Sequence, residues 1–589
     1  MKKLRRLFLC SLSLMLSISL FGCQSKDNTT QQVSFNEFIT SEFIDEMEND
    51  YLTTHIYLEH PENFDVNKQE IEIQIGEEIN DKTIQKNINE TKKAEKKFKE
   101  FDRDTLSDEQ KDTYDIYNFN LTTALTSIDS KFKYYDAYFN TLTGIHTQLP
   151  VLFADLTLRN EQDVKDLILL LQSTLPYINS ILTYTKQQSK EGLLSIDMER
   201  VLSDVKKTLE TQENSSTLTS MYKNIDKLTL SAELKTSYKE KVKEAFMNSF
   251  IPAYQNMYDT LTSLKLSKNN TEGICNFEYG KEYYEMLFSN AISSSLSIKK
   301  TKKLLENTAD KYLTIAQSVI LKDEKVYENL QNDKYVTNYT NFESMLKDIN
   351  KGIEKDFPSI GKLSYEIAPL DKDLQNQGVA AYFNLPAIDG TTPKQIRVNT
   401  NGTQINSIET FTTLAHEGIP GHMYQVSYAY ENLRVPYRKV FSNATGYTEG
   451  YATYVEYYAT KYLADIDENA IKLQNALAIY QQCLLALSDI GIHYEGWNLN
   501  DLKDFYTKKG LELDKDSFTD LYQQIQANPT AFLSYYVGFA QFDKLQEKAK
   551  DKLGKNYRDK DFHEAILKSG AAPFEVVEKN VDAYISSKK

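Results

Sequence analysis

Most of this chain is patterned for helices. Apolar residues recur every three or four positions over Thr105 to Ser127, Glu161 to Gln188, Met198 to Thr211, Ala232 to Leu266, Gly280 to Phe288 and Ser297 to Leu321. That spacing draws one apolar stripe down a helix. An earlier stripe of Phe35, Phe38, Ile39 and Phe43 starts at Ser34-Phe35-Asn36-Glu37, which has the form of a capping box. Pro176 and Pro252 predict a kink or a split in their stretches, because proline lacks a donor and crowds the carbonyl four residues back. Core packing is sufficient reason for every stripe between residues 34 and 350.

Period-two alternation is rare and local. Ile71 to Ile75 alternates, as a short strand or an extended link. Leu363 to Ile367 alternates too. Ala380 to Leu385 and Gln395 to Val398 are short apolar runs, with Pro386, Asp389-Gly390 and Pro393 between them. These runs predict a small antiparallel sheet just ahead of residue 416, with helices resuming after residue 422. The expected fold is therefore mainly α, a large helical body with one small antiparallel sheet. The chain shows no run of βα units, so the architecture of a solute-binding lipoprotein is not expected.

The N-terminus has a different pattern. Lys2, Lys3, Arg5 and Arg6 precede an apolar run from Leu7 to Phe21, too short to span a bilayer comfortably. The run ends in Leu20-Phe21-Gly22-Cys23, which resembles a bacterial lipobox, where the cysteine thiol is lipidated and becomes the first mature residue. The expected organisation is a signal peptide at 1–22 and a lipidated tether at 23–33. A helical domain at 34–350 follows as one wall of a cleft, then a region at 351–589 that holds the small sheet, further helices and the candidate chemistry. The expected location is extracytoplasmic, on the cell membrane through the lipid on Cys23.

Composition narrows this further. Only 21 Gly and 12 Pro occur in 589 residues, which suits long helices. Loss of residues 1–22 removes four positive charges from a formal net charge of −16, leaving −20. Such acidity argues against nucleic acid as a partner. Outside the leader and anchor, only Cys275 and Cys483 remain. They are far apart in sequence, and two buried free thiols are expected rather than a disulfide.

The candidate chemistry sits in His416-Glu417-Gly418-Ile419-Pro420-Gly421-His422. Two imidazoles flank a carboxylate, which is the inventory of a zinc hydrolase: histidines to hold the ion and a glutamate to handle a proton. The spacing differs from the H-E-x-x-H helix. Residues six apart on a straight helix point about 120° away from each other. Pro420 would clash with the carbonyl of His416, and Gly418 and Gly421 permit backbone that other residues resist. A helix broken between Gly418 and Gly421 is therefore predicted, which would bring His422 round to the metal; the alternative is that His422 is not a ligand. Glu449 is the candidate third ligand. Glu456, seven residues on and about 20° off the same face, is placed to orient a histidine from behind.

These residues carry a resemblance. His416 to Gln425, HEGIPGHMYQ, resembles the signature of a bacterial family labelled a domain of unknown function, number eight-eight-five in that series. The likeness continues through TEGYATYVE at 448–456, SDIGIHYEGWNLNDL at 488–502, SYYVG at 534–538 and FHEAILKSGAAPFEVVE at 562–578. Upstream, Gly280 to Tyr284 also matches. The chain departs from the pattern at Met423, where many members have a further histidine, and at Tyr451, where they have tryptophan. The family resembles gluzincin-type metallopeptidases. That implies one Zn2+ held by His416, His422 and Glu449, with Glu417 as general base. It also implies His493 and Tyr535 (or Tyr536, one position on) as stabilisers of the developing oxyanion, and a sheet edge that binds extended peptide. His563 is expected to be structural, and His55, His60 and His146 to lie outside any site. The expected activity is peptide-bond hydrolysis at the cell surface. The competing readings are a catalytically silent lipoprotein that binds peptides or envelope components in the same cleft, and hydrolysis of a non-peptide amide.

Overall fold

The computed structural model describes residues 28–370, 375 and 379–588. The leader and Cys23 lie outside the described residues. Helices dominate, as the pattern predicts. Phe35, Phe38, Ile39 and Phe43 are buried on one face of Asn28–Asn49. That helix is already running at Ser34, so Ser34 lies inside it and caps nothing.

The two prolines behave differently. The helix Glu161–Lys190 continues through Pro176. Proline frees the carbonyl of Gln172, four residues back. The Ser249 hydroxyl donates to that carbonyl at 3.0 Å and accepts from the Leu175 N–H at 3.1 Å, so a neighbouring helix satisfies the groups at the proline. The stretch around Pro252 does split. Ala232–Ala245 passes through a widened turn at Phe246–Phe250 into Ile251–Leu264.

The apolar interior forms two clusters. One joins residues from Phe35 to Leu261, with Tyr437 added from the other half. The second runs from Ile274 to Ile585, and Ile116, Phe132 and Tyr135 join it. The clusters thus divide between Leu261 and Ile274, whereas the sequence pattern suggests a boundary at residue 350. The difference arises because the helices Gly280–Ile292 and Ile298–Lys322 bury their stripes against the C-terminal helices. Periodicity reveals a stripe but not its partner.

The predicted sheet is present but mixed. Strands β1 (Tyr365–Pro369), β2 (Ala381–Asn384) and β3 (Lys394–Val398) lie in the order β1-β3-β2. β3 is antiparallel to β2 and parallel to β1. The all-antiparallel expectation is corrected here: the chain crosses from β1 to the far edge before returning up the middle. Alternation assigns side chains to faces and says nothing about strand order. Ile71 to Ile75 is an extended link rather than a strand. The sheet leads directly into the helix Ile408–Glu417, whose N-terminus is capped by the Ser407 hydroxyl accepting from Thr410 N–H at 3.0 Å. Cys275 and Cys483 are both free thiols.

Candidate metal centre

The motif helix breaks where the glycines and proline predict. Ile408–Glu417 ends at Gly418, and a new helix starts at His422. The Ile419–Pro420 bond is cis. Gly421 packs so tightly against the preceding turn that a Cβ there would lie 1.8 Å from the carbonyl oxygen of His416. Only glycine fits, and the Gly421 N–H uses this approach to donate to the Ala415 carbonyl at 2.9 Å. Tyr451 fastens the turn from outside: its hydroxyl donates to the Pro420 carbonyl at 3.0 Å.

The break brings the two imidazoles together. Their ring centroids are 4.8 Å apart with planes at 87°. One carboxylate oxygen of Glu449 lies 3.5 Å from His416 Nε2 and 3.4 Å from His422 Nε2. Donor atoms about 2.1 Å from a common ion, at the tetrahedral angle, are separated by about 3.4 Å. Both separations match the spacing of two ligands on one zinc-sized ion, and they are long for charge-assisted hydrogen bonds. Glu417 shares the cluster, with His416, Glu417 and His422 donor atoms all within 4.8 Å of one another. Of the two carboxylates, Glu449 fits the ligand position better, since one of its oxygens faces both Nε2 atoms.

Supporting groups fix the orientation. Glu456 accepts from His416 Nδ1 at 2.7 Å, which leaves Nε2 directed at the shared point. Burial works against a charged His416, but the Glu449 and Glu456 carboxylates outweigh it and hold its pKa well above the ordinary value. Burial likewise pushes against an ionised Glu449, yet His422 and His416 keep its carboxyl below the usual range. The set is thus a mutually compensated cluster of side chains only 12–20% exposed. Burial raises the Glu417 pKa, opposed by His416, His422 and the Phe383 backbone on β2, the strand against which the Glu417 helix packs. Edge strand and general-base candidate are therefore in contact.

Tyr535 joins the cluster: its ring stacks on His416 at 6.1 Å, and it lies beside the Glu449 carboxylate. Burial and the Glu449 and Glu417 charges raise its pKa, so it stays a protonated donor. Tyr536 instead stacks on Phe532 at 6.4 Å.

His493 does not reach the site, which corrects its expected catalytic role. It is fully buried. Its Nδ1 accepts from the Ile274 N–H at 3.3 Å and its Nε2 donates to the Ile525 carbonyl at 3.0 Å, leaving neither nitrogen for a substrate. The surrounding motif ties segments together: Asp489 accepts from the Tyr284 hydroxyl at 2.6 Å and from the Thr530 N–H at 2.9 Å. His563 is likewise buried and spent, bonded to the Asp356 carbonyl at 2.6 Å and the Tyr454 hydroxyl at 3.0 Å. Met423 is fully buried in the apolar interior.

Two glycines matter that motif chemistry overlooks. Gly450 follows Glu449 in the helix Thr445–Ala459, and Gly538 lies one turn beyond Tyr535 in Leu533–Leu553. A Cβ on Gly450 would sit 2.4 Å from Gly538 Cα. The helices touch backbone to backbone there, which sets Tyr535 beside Glu449. The available signal is that glycine inside a helix costs about 1 kcal/mol against alanine and so demands a packing reason.

Fold and site together define a mainly helical protein with a candidate His-His-Glu metal centre. Residues 74–581 match the family described as "Bacterial protein of unknown function (DUF885)", and the chain belongs to it. A candidate lipoprotein from Colwellia psychrerythraea has a similar crystal structure, with 17% identity and a TM-score of 0.79 over 95% of this chain and 100% of that one. A candidate lipoprotein of unknown function from Shewanella oneidensis has a TM-score of 0.60 at 15% identity, over 85% of this chain and 93% of that one. A comparison with curated proteins finds no match.

Proposed function

We propose that this protein is a zinc-dependent peptidase of gluzincin type, held outside the cell by a lipid on Cys23. The observation that carries the reading is the spacing of 3.4 and 3.5 Å between the Glu449 oxygen and the two Nε2 atoms, with Glu417 alongside. His416, His422 and Glu449 would hold the ion. A zinc ion bound there supplies Lewis acidity, polarising a carbonyl and acidifying a water. Glu417, kept partly buried, takes the proton of the attacking water and returns it to the leaving amine. Tyr535 donates to the oxyanion as charge develops on it. Glu456 holds the His416 ring throughout. The lipobox and the lipoprotein description of both structural relatives support the anchored location.

The test is metal content together with cleavage of a peptide mixture by wild type and Glu417→Gln. One zinc per chain is expected in both proteins, with at least about a 100-fold loss of rate in the variant. Absence of bound zinc, or equal rates, would overturn the reading and leave a silent binding lipoprotein.

A further inference from the structure

β2 is an outer strand of its sheet, and cavities of different size and polarity lie at its two ends. Beyond its C-terminal end is a compact cavity of about 430 Å³, a size suited to one large side chain with its backbone. Val151, Leu152, Leu156, Phe383 and Leu385 supply apolar walls. Its charged residues are Glu59, Asp155, Lys394 and Arg159, which donates to the His55 carbonyl at 3.0 Å. Asp155 pairs with Arg397 at 3.1 Å and accepts from the Tyr382 hydroxyl, while Glu59 accepts from the Thr391 N–H at 3.0 Å. The loop that bounds the cavity is fastened down. Ile388 N–H donates to the Tyr57 carbonyl at 2.8 Å, and the Asp389 carboxylate accepts from the N–H groups of Glu59 and His60 at 2.8 and 2.9 Å.

The other end differs. A wide cavity of about 1420 Å³ reaches Val379, just before β2. Its walls mix apolar residues such as Ile196, Met198 and Leu499 with polar and charged ones such as Asp197, Asp204, Lys207 and Gln524. Four residues of extended chain, about 13 Å, separate Val379 from Phe383, and Phe383 is the β2 residue whose backbone lies beside Glu417, where the Ile408–Glu417 helix packs on the strand. The reacting position is thus next to the compact cavity and several residues from the wide one. An extended peptide paired with an edge strand points alternate side chains to the two faces, so a pocket at that end receives one residue flanking the cleaved bond.

We propose that the compact cavity is a specificity pocket for a bulky apolar residue at one end of an extended peptide, the polar remainder running along β2 toward the wide cavity. Hydrolysis then adds water across one peptide bond near that end, hydroxyl to the acyl carbon and proton to the amine, and releases a short apolar fragment. The assignment of the cut rests on the peptidase reading above; the pocket itself does not.

The test uses zinc-supplemented Glu417→Gln protein titrated calorimetrically with polar pentapeptides bearing a single phenylalanine at either end. One of the two is expected to bind at least tenfold tighter than its serine counterpart. It should also bind at least tenfold tighter than a version with three polar residues added beyond the phenylalanine. Leu385 is 46% exposed, so Leu385→Asp and the milder Leu385→Ala should erase or reduce that preference with an unchanged thermal midpoint. Equal binding of the extended peptides, or a phenylalanine preference that survives Leu385→Asp, overturns the pocket. Should wild type bind in the expected pattern yet cleave none of these peptides, the peptidase reading fails and the pocket stands.

Discussion

Two motifs in this chain each place a histidine in the protein interior, and their chemistry is opposite. At 416–422, the imidazoles keep their Nε2 atoms aimed at a shared point, with carboxylates as their partners. At 488–497, His493 is fully buried, and both of its nitrogens are spent on backbone. Carboxylate partners hold His416 toward the charged form, whereas burial without one lowers the His493 pKa to about 4. A histidine is thus a ligand candidate when its partners are acidic and one nitrogen is aimed at a point that other donors share. It is a structural pin when backbone takes both.

The comparison breaks most visibly at Glu449. Glu449→Ala should lower zinc affinity by roughly 100-fold or more, because even outer partners of metal ligands are worth about 10–100-fold. A competition titration with a zinc chelator measures this. The same titration on His493→Gln should match wild type, and a matching loss there would abolish the distinction between the two motifs.

Gly538→Ala should have an intermediate effect. Its Cβ would meet the Gly446 carbonyl oxygen at 2.2 Å and Gly450 Cα at 2.6 Å. Helix separation should cost about 1–3 kcal/mol in urea unfolding and weaken zinc binding as Glu449 moves. Loss of stability with unchanged zinc affinity would show that the crossing does not position the site.

The last effect shows only in the pH dependence of stability. The unfolded His493 takes a proton near pH 6.5, while the folded one resists until about pH 4. Its contribution is therefore complete above pH 6.5 and is lost as pH falls toward 4, on the order of 3 kcal/mol in all. His493→Gln should flatten the fall of stability across that window by about this amount. A slope identical to wild type would mean that His493 is not held neutral.

Much of this was legible beforehand. The helix stripes, the strands at residues 365–398, and the break between Gly418 and Gly421 follow from local spacing and from what glycine and proline allow. So does Glu456 behind His416, since a seven-residue step returns to the same face. His493 was misjudged because the same residue type, in an equally dense motif, pins a turn as readily as it serves a site. The order of the strands and the division of the two apolar clusters were also illegible, since neither has a local signature.

The sequence by itself determined the inventory of this protein: helical stripes, a broken H-E motif and acidic residues at helical spacing. These are consequences of short-range sterics and periodicity, which act within a few residues. Only the tertiary structure decided which side chains meet. It brought Glu449 to the two Nε2 atoms, moved His493 away, and set a compact and a wide cavity at opposite ends of one strand. Those outcomes depend on packing between segments far apart in the chain, where burial and backbone contact, not spacing, select the partner.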